Sequence, residues 1–290
     1  MSQVVRAYDR ARGEDVALKI LSTASPAISL GGEFRYIASL NHPGVVSVYD
    51  FGLTEDGRPY FTMELLEEGD LLELAGKAKL VTMLRTAREV FRTLDFVHAR
   101  GIVHADLKPS NIMLGTTADG KHYPRLLDFG IAWQDPNDQT GGTVHFMAPE
   151  LFTRGRDRDH RSDLYSMGVV LFEMLTGDLP FDDVSAVRLA QHHVSTPAPD
   201  PRDFWPQLPG ELAELILRLL EKRPDDRFQS GREVVAAIDA YLAKQQGEKS
   251  TGRQRYIIAE PDIRIAGGSR HVGHESHLEE LLGRASELRG

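Results

Sequence analysis

The chain of 290 residues contains no cysteine. That excludes disulfides, thiolate nucleophiles and cysteine-ligated zinc or iron–sulfur sites, and it fits a reducing, cytoplasmic setting. Long apolar runs are missing as well. The longest, from Met167 to Leu175, is interrupted by Glu173 and falls short of the roughly 20 apolar residues that span a bilayer. No signal peptide is expected, because Arg6, Asp9, Arg10 and Arg12 come before any apolar core. A surplus of positive charge is the third absence. A formal net charge of -9 disfavours a nucleic-acid or anionic-membrane surface, while small metal-chelated nucleotides remain compatible. What remains is the composition of a soluble globular chain, long enough for two lobes and an appendage.

Apolar residues alternate or run together from Val4 to Tyr8 and from Asp15 to Leu21, around a turn at Asp9–Glu14 that contains Gly13, which predicts a hairpin. Phe34, Ile37 and Leu40 recur at helical spacing until Asn41, His42, Pro43 and Gly44 stop the helix. Val45–Phe51 and Pro59–Leu65 read as two further strands flanking the turn Glu55, Asp56 and Gly57. The first part is therefore a small antiparallel sheet with one helix. After Gly69 helical stripes dominate: Leu84, Ala87, Val90, Phe91, Leu94 and Val97 form one, and Ser162–Thr176 forms another, closed by Gly177. Leu212, Leu215, Ile216 and Leu219 mark a third, and Ser230 with Glu233 is spaced as a capping box before a fourth. Pro197–Pro209 is a proline-rich connector, ordered by docking. A boundary is expected near Gln245, where the chain turns polar.

The chemistry lies between these helices. His104, Ala105, Asp106, Leu107, Lys108, Pro109, Ser110 and Asn111 are followed by Leu127, Asp128, Phe129 and Gly130, then by Met147, Ala148, Pro149 and Glu150. Two carboxylates and an amide, with a lysine two positions after the first, form a constellation that packing alone rarely produces. Turn capping would account for Asp106 and Asn111 singly, but not for the whole run. The series resembles the catalytic and activation segments of serine/threonine protein kinases of the bacterial, eukaryotic-like type.

That resemblance implies an α+β, bilobal fold: a small antiparallel sheet lobe with one helix over residues 1–66, lacking the first strand and most of the glycine-rich loop, and a larger, mainly helical lobe over 67–245. Residues 246–290 would be a linker and the opening of a following module. It also implies transfer of the γ-phosphate of ATP, with Mg2+, to Ser or Thr hydroxyls of proteins, in the cytoplasm and in signalling. By position, Asp106 would accept the substrate hydroxyl proton, Lys108 would point to the transferred phosphoryl group, and Thr143 would hydrogen-bond both. Asn111 and Asp128 match the two metal ligands, hard oxygen donors suited to magnesium. Lys19, on an apolar strand, matches the lysine that holds the phosphates. Glu33 is its expected counter-ion, or else a surface carboxylate, the intervening segment being shorter than usual.

Met63, Glu64 and Leu66 fall on the hinge that reads adenine through backbone groups, with Met63 as gatekeeper. Val4 and Ala17 would cover the base from above and Met113 from below. Asp70 is placed at the ribose edge, or caps a helix. Glu150 is expected to pair with Arg227 in the interior, Asp163 to brace the catalytic-loop backbone, and Ile37, Val48, His104 and Phe129 to stack between the lobes. Two departures stand out. Ala105 occupies a position where many such kinases carry an arginine that pairs with a phosphorylated activation loop, so activity independent of phosphate at Thr140 or nearby is expected. Ser2 falls at the place of the last glycine of the phosphate loop, which weakens the expected grip on ATP and keeps open a catalytically impaired module acting through protein contacts. His271, Val272, Gly273 and His274 onward resemble the start of a signalling ATPase module. The histidines His271, His274 and His277 read as a solvated polar segment rather than a metal site.

Overall fold

In a computed structural model the described residues are 3–21, 40–116, 122–129, 144–152 and 159–250, the side chains of 116, 122 and 247–250 excepted. Four strands form the small sheet: β1 (Gln3–Asp9), β2 (Glu14–Ile20), β3 (Val48–Leu53) and β4 (Pro59–Glu64), in the order β1-β2-β4-β3. All neighbours are antiparallel, and Gly13 takes the positive φ of 72° that the β1–β2 turn needs. Ala17, Leu21, Val46, Phe61, Met63 and Leu127 bury a first, smaller core against this sheet.

The helical part contains α1 (Leu71–Ala75), α2 (Leu80–His98), α3 (Arg161–Thr176), α4 (Ala186–Ser195), α5 (Gly210–Leu219) and α6 (Gly231–Ser250). Between α2 and α3 lies a two-stranded ribbon, β5 (Ile112–Thr116) and β6 (His122–Leu126). α2 buries Leu80, Met83, Leu84, Ala87, Val90, Phe91, Leu94 and Val97 at three- and four-residue intervals, so one stripe faces the large core. α3 has no polar face along most of its length. It is buried from Ser162 to Phe172 and ends on Gly177, left-handed at φ 82°. The proline-rich connector docks as expected, with Pro201, Trp205 and Leu208 buried. Ser230 Oγ accepts from Glu233 N at 3.3 Å, one arm of the capping box, while the Glu233 carboxylate reaches Gln229 N. The helix so started continues to Ser250, past the polar turn at Gln245. The helix expected around Phe34–Leu40 lies outside the described residues except for Leu40, which is buried.

The two parts are joined by residues 42–46. The His42 ring stacks on Phe96 of α2 at 4.3 Å, and Val46 N and Leu126 N exchange hydrogen bonds with Leu126 O and Gly44 O. Gly44 must be a glycine here, because a Cβ would fall 1.9 Å from Thr93 Oγ1. This seam holds the sheet over the ribbon and sets the cleft between them.

The interior also contains an acid-sensitive group. His193 of α4 is fully buried, and its Nδ1 lies 2.9 Å from Tyr165 Oη. Burial, reinforced by the facing charges of Lys222 and His145, pushes its imidazole down to about 3. An unfolded imidazole titrates near 6.5. The native state therefore holds fewer protons across that interval, and stability present above pH 6.5 is lost as the pH falls through it. Urea unfolding at pH 7 and pH 5 is expected to show a loss of about 1.4 kcal/mol per pH unit from this residue. His193→Asn should flatten that slope by about one proton; an unchanged slope would exclude His193 as its source.

Candidate active site

The loop from His104 to Asn111 is held by a residue far along the chain. Asp163, near the start of α3, accepts from His104 N at 2.7 Å and Ala105 N at 2.8 Å, and its second contact at Oδ2 is His98 Nε2 at 2.8 Å. An ionised carboxylate taking several N–H groups makes strong, short bonds. The clamp holds Ala105 at φ 65°, a left-handed conformation unusual for a residue with a Cβ. Its neighbour His104 is fully buried, and that burial lowers its imidazole pKa. The neutral ring satisfies both nitrogens, Nε2 at 2.7 Å from Leu127 O and Nδ1 accepting from Asp106 N at 3.4 Å.

Asp106 is thereby set among donors. Lys108 Nζ reaches its Oδ2 at 2.9 Å, and Asn111 Nδ2 bonds both Asp106 O at 2.7 Å and Oδ2 at 3.0 Å. Because the Asn111 amide nitrogen is spent on Asp106, its oxygen is the atom left to serve a cation. Asp128 follows β6 by two residues, takes φ 55°, and forms an ion pair with Lys19 of β2 at 2.6 Å. One oxygen of each carboxylate is thus neutralised by a lysine. The other oxygen, Asp106 Oδ1 and Asp128 Oδ1, is buried and has no hydrogen-bond partner among the described residues. Buried unpartnered acceptors cost free energy and call for an explanation, and here a ligand that completes them is the natural one. A carboxylate and an amide oxygen form too small a donor set for a closed metal cage, but suit a divalent ion that arrives with phosphate oxygens.

Phe129 lies against His104, ring centroids 4.6 Å apart, which brings two of the four expected stacking residues together, and Val48 packs against both cores. Beside them, Ala17, Met63 and Leu127 are buried, with Leu66 and Met113 packed around them. They form an apolar bed of the kind that receives a flat base. Val4, in register opposite Lys19, is half exposed. The side chain of Asp70 caps α1, accepting from Leu72 N and Glu73 N. Glu33, Thr143, Ile37, Gly130 and Thr140 lie outside the described residues. The described ion pair of Lys19 is therefore with Asp128.

Glu150 and Arg227 meet as expected, in a buried bidentate pair with both bonds at 2.8 Å. Burial opposes the carboxylate charge, but the guanidinium holds the group below the usual range. Two residues were not anticipated. Arg125 of β6 reaches Glu64 at 3.3 Å and also bonds Pro43 O, tying the end of β4 to the seam. Glu173, on α3, is raised to about 7 by burial and by Asp70. An arginine in a strand and a glutamate in an apolar helix are the available signals, and neither names its partner.

This geometry, a carboxylate-lined cleft between a small sheet and a helical lobe, belongs to one class: the chain is a member of the protein kinase domain family, whose model matches residues 1–237. Among curated proteins it is 38% identical over 274 residues to the DNA damage-responsive serine/threonine-protein kinase RqkA of Deinococcus radiodurans, covering 88% of this chain and 40% of that protein. It is 36% identical over 261 residues to the serine/threonine-protein kinase PknA of Mycobacterium tuberculosis, covering 84% and 59% respectively. The chain therefore spans about half the length of such relatives. Among solved structures, Rad53 residues 1–466 in complex with AMP-PNP superposes with a TM-score of 0.68 at 25% identity, covering 82% of this chain and 62% of that one. The fold is the α+β, bilobal kinase fold, and the family implies use of ATP and a divalent metal. No helix among the described residues is long and apolar enough to cross a membrane.

Proposed function

We propose that this chain transfers the γ-phosphoryl group of Mg-ATP to serine or threonine hydroxyls of proteins, in the cytoplasm. The observation that carries the reading is the pair of aspartates, each half neutralised by a lysine and each keeping one buried oxygen without a partner among the described residues. Asp128 and the amide oxygen of Asn111 would hold Mg2+, which when bound neutralises the phosphates and the charge that develops on transfer. Lys19 would then exchange part of its hold on Asp128 for the phosphates. Asp106 Oδ1 orients the acceptor hydroxyl and takes its proton, while Lys108, fixed on the other oxygen, supplies positive charge beside it. Adenine would rest between Val4 and Ala17 on one side and Met113 and Leu66 on the other. The backbone of Glu64–Leu66 would read its edge, with Met63 behind it and Asp70 toward the ribose. For Glu33 as a partner of Lys19 and Thr143 as a partner of Asp106, the support is sequence position alone.

Incubation with labelled ATP, Mg2+ and a generic protein acceptor should place label on serine and threonine. Label on tyrosine would overturn the serine/threonine assignment, and no label above an Asp106→Asn control would sink the proposal in favour of a non-catalytic kinase-like module. Ala105 leads to a further expectation. Lacking an arginine at this position, the loop has less cation to offer a phosphorylated activation segment and is already clamped by Asp163. Phosphatase-treated protein should therefore keep most of its activity, and complete loss on dephosphorylation would refute this.

A further inference from the structure

Arg6 has no part in the chemistry above, yet it joins two sides of the nucleotide cleft. In the β1–β2 ladder Val4 stands opposite Lys19, Arg6 opposite Ala17, and Tyr8 opposite Asp15. Directly opposed residues of an antiparallel pair share one face. Lys19 reaches Asp128 from that face, so it is the face that roofs the cleft. From this roof Arg6 Nε and Nη2 grip Asp15 Oδ2 at 3.0 and 2.5 Å, and Nη1 extends to Glu67 Oε1 at 2.7 Å. Glu67 directly follows Leu66, on the segment that leads from β4 to α1.

We propose that the Arg6–Glu67 ion pair is a clasp across the adenine end of the cleft, making Arg6 a positioning residue that slows nucleotide release. The inference rests on the kinase reading of the site. Among the described residues β1 pairs with β2, and this side chain ties it to the segment after β4 as well. Arginine suits the task because its rigid fork serves two carboxylates at once: Asp15 fixes one edge and thereby aims the other at Glu67. A lysine could hold one of them, not both in this geometry. The clasp lies beside Ala17 and Val4, above the bed where the base would rest, and involves none of the groups assigned to phosphoryl transfer.

Both partners are largely exposed, so the pair is weak and the expected effect is a few-fold. Dissociation of a fluorescent ATP analogue, measured by stopped flow with Mg2+ at low salt, should be roughly twofold to fivefold faster for Arg6→Gln and for Glu67→Gln. The double variant should be no faster than either single one, because both remove the same contact. Raising the ionic strength should bring the wild-type rate toward that of the variants. Unchanged rates in the single variants, or effects that multiply in the double one, overturn the clasp while leaving the kinase reading intact. Failure of the wild type to bind the analogue at all would overturn both.

Discussion

Asp128→Asn is expected to lower phosphoryl transfer by about three orders of magnitude or more, with the fold intact. Asparagine is the informative replacement because Asp128 sits at φ 55°, where asparagine is the best tolerated residue after glycine. The change therefore removes charge and leaves shape. Two things go with that charge: the anion that neutralises Lys19 at 2.6 Å, and the buried oxygen available to a divalent ion. Removing one preorganised electrostatic contact from such a site costs about 10²–10³ in rate, and losing a metal-neutralising charge costs more. Asp106→Asn gives the complementary result. It should reduce the maximal rate by about 10²–10⁴ while leaving nucleotide affinity near that of the wild type, because proton transfer is lost and not the metal. Initial rates, nucleotide titrations and melting temperatures measured on both variants separate these roles. An Asp128→Asn protein within tenfold of wild type would remove Asp128 from the chemistry.

The second large effect concerns stability. Arg227→Met is expected to destabilise the protein by about 3–5 kcal/mol in urea unfolding, since it strips the partner from a buried carboxylate. Arg227 is completely buried and Glu150 nearly so. The guanidinium also donates to Glu221 O at 2.7 Å, Arg161 O at 3.0 Å and Lys222 O at 3.1 Å, so three carbonyls lose a donor as well. Ser162 Oγ, at 2.7 Å from Glu150 Oε1, cannot replace a cation. Glu150→Gln should cost less, because it removes the buried negative charge while keeping the shape. The lowered carboxyl pKa implies that the stability this pair provides is present above the ordinary glutamate range and is lost as pH falls through the native value. A loss under 1 kcal/mol for Arg227→Met would mean that water or rearrangement satisfies Glu150 after all. The pair anchors the turn at Pro149–Phe152 onto α3 and the start of the loop after α5. Its failure should therefore impair protein-substrate use even in molecules that remain folded.

Local patterns were legible wherever a residue's neighbours in sequence are also its neighbours in space. The β1–β2 hairpin follows from alternation around Gly13, α2 from its three- and four-residue stripe, and the end of α3 from Gly177. Motif spacing did the same for the site: Asp106, Lys108 and Asn111 fall within one loop, so their mutual contacts follow from short chain distances. Asp70 was open between a cap and a ribose contact, and its side chain caps α1. The polar stretch after Gln245 reads as a domain boundary, and α6 runs on to Ser250.

The family, and the mutual contacts of Asp106, Lys108 and Asn111, were thus written in the order of residues, because the groups involved lie at close spacing on one segment. Partner choice across the fold was not. Lys19 pairs with Asp128, Asp163 holds the backbone of a loop 58 and 59 residues away, and Arg6 reaches Glu67 across 61 residues. A charge in a sequence specifies what it can bind, but not which opposite charge the packed sheet and helices will carry to within 3 Å of it. Those pairings depend on how strand register, the seam at residues 42–46 and the burial of α3 bring distant segments together, and they belong to the folded protein alone.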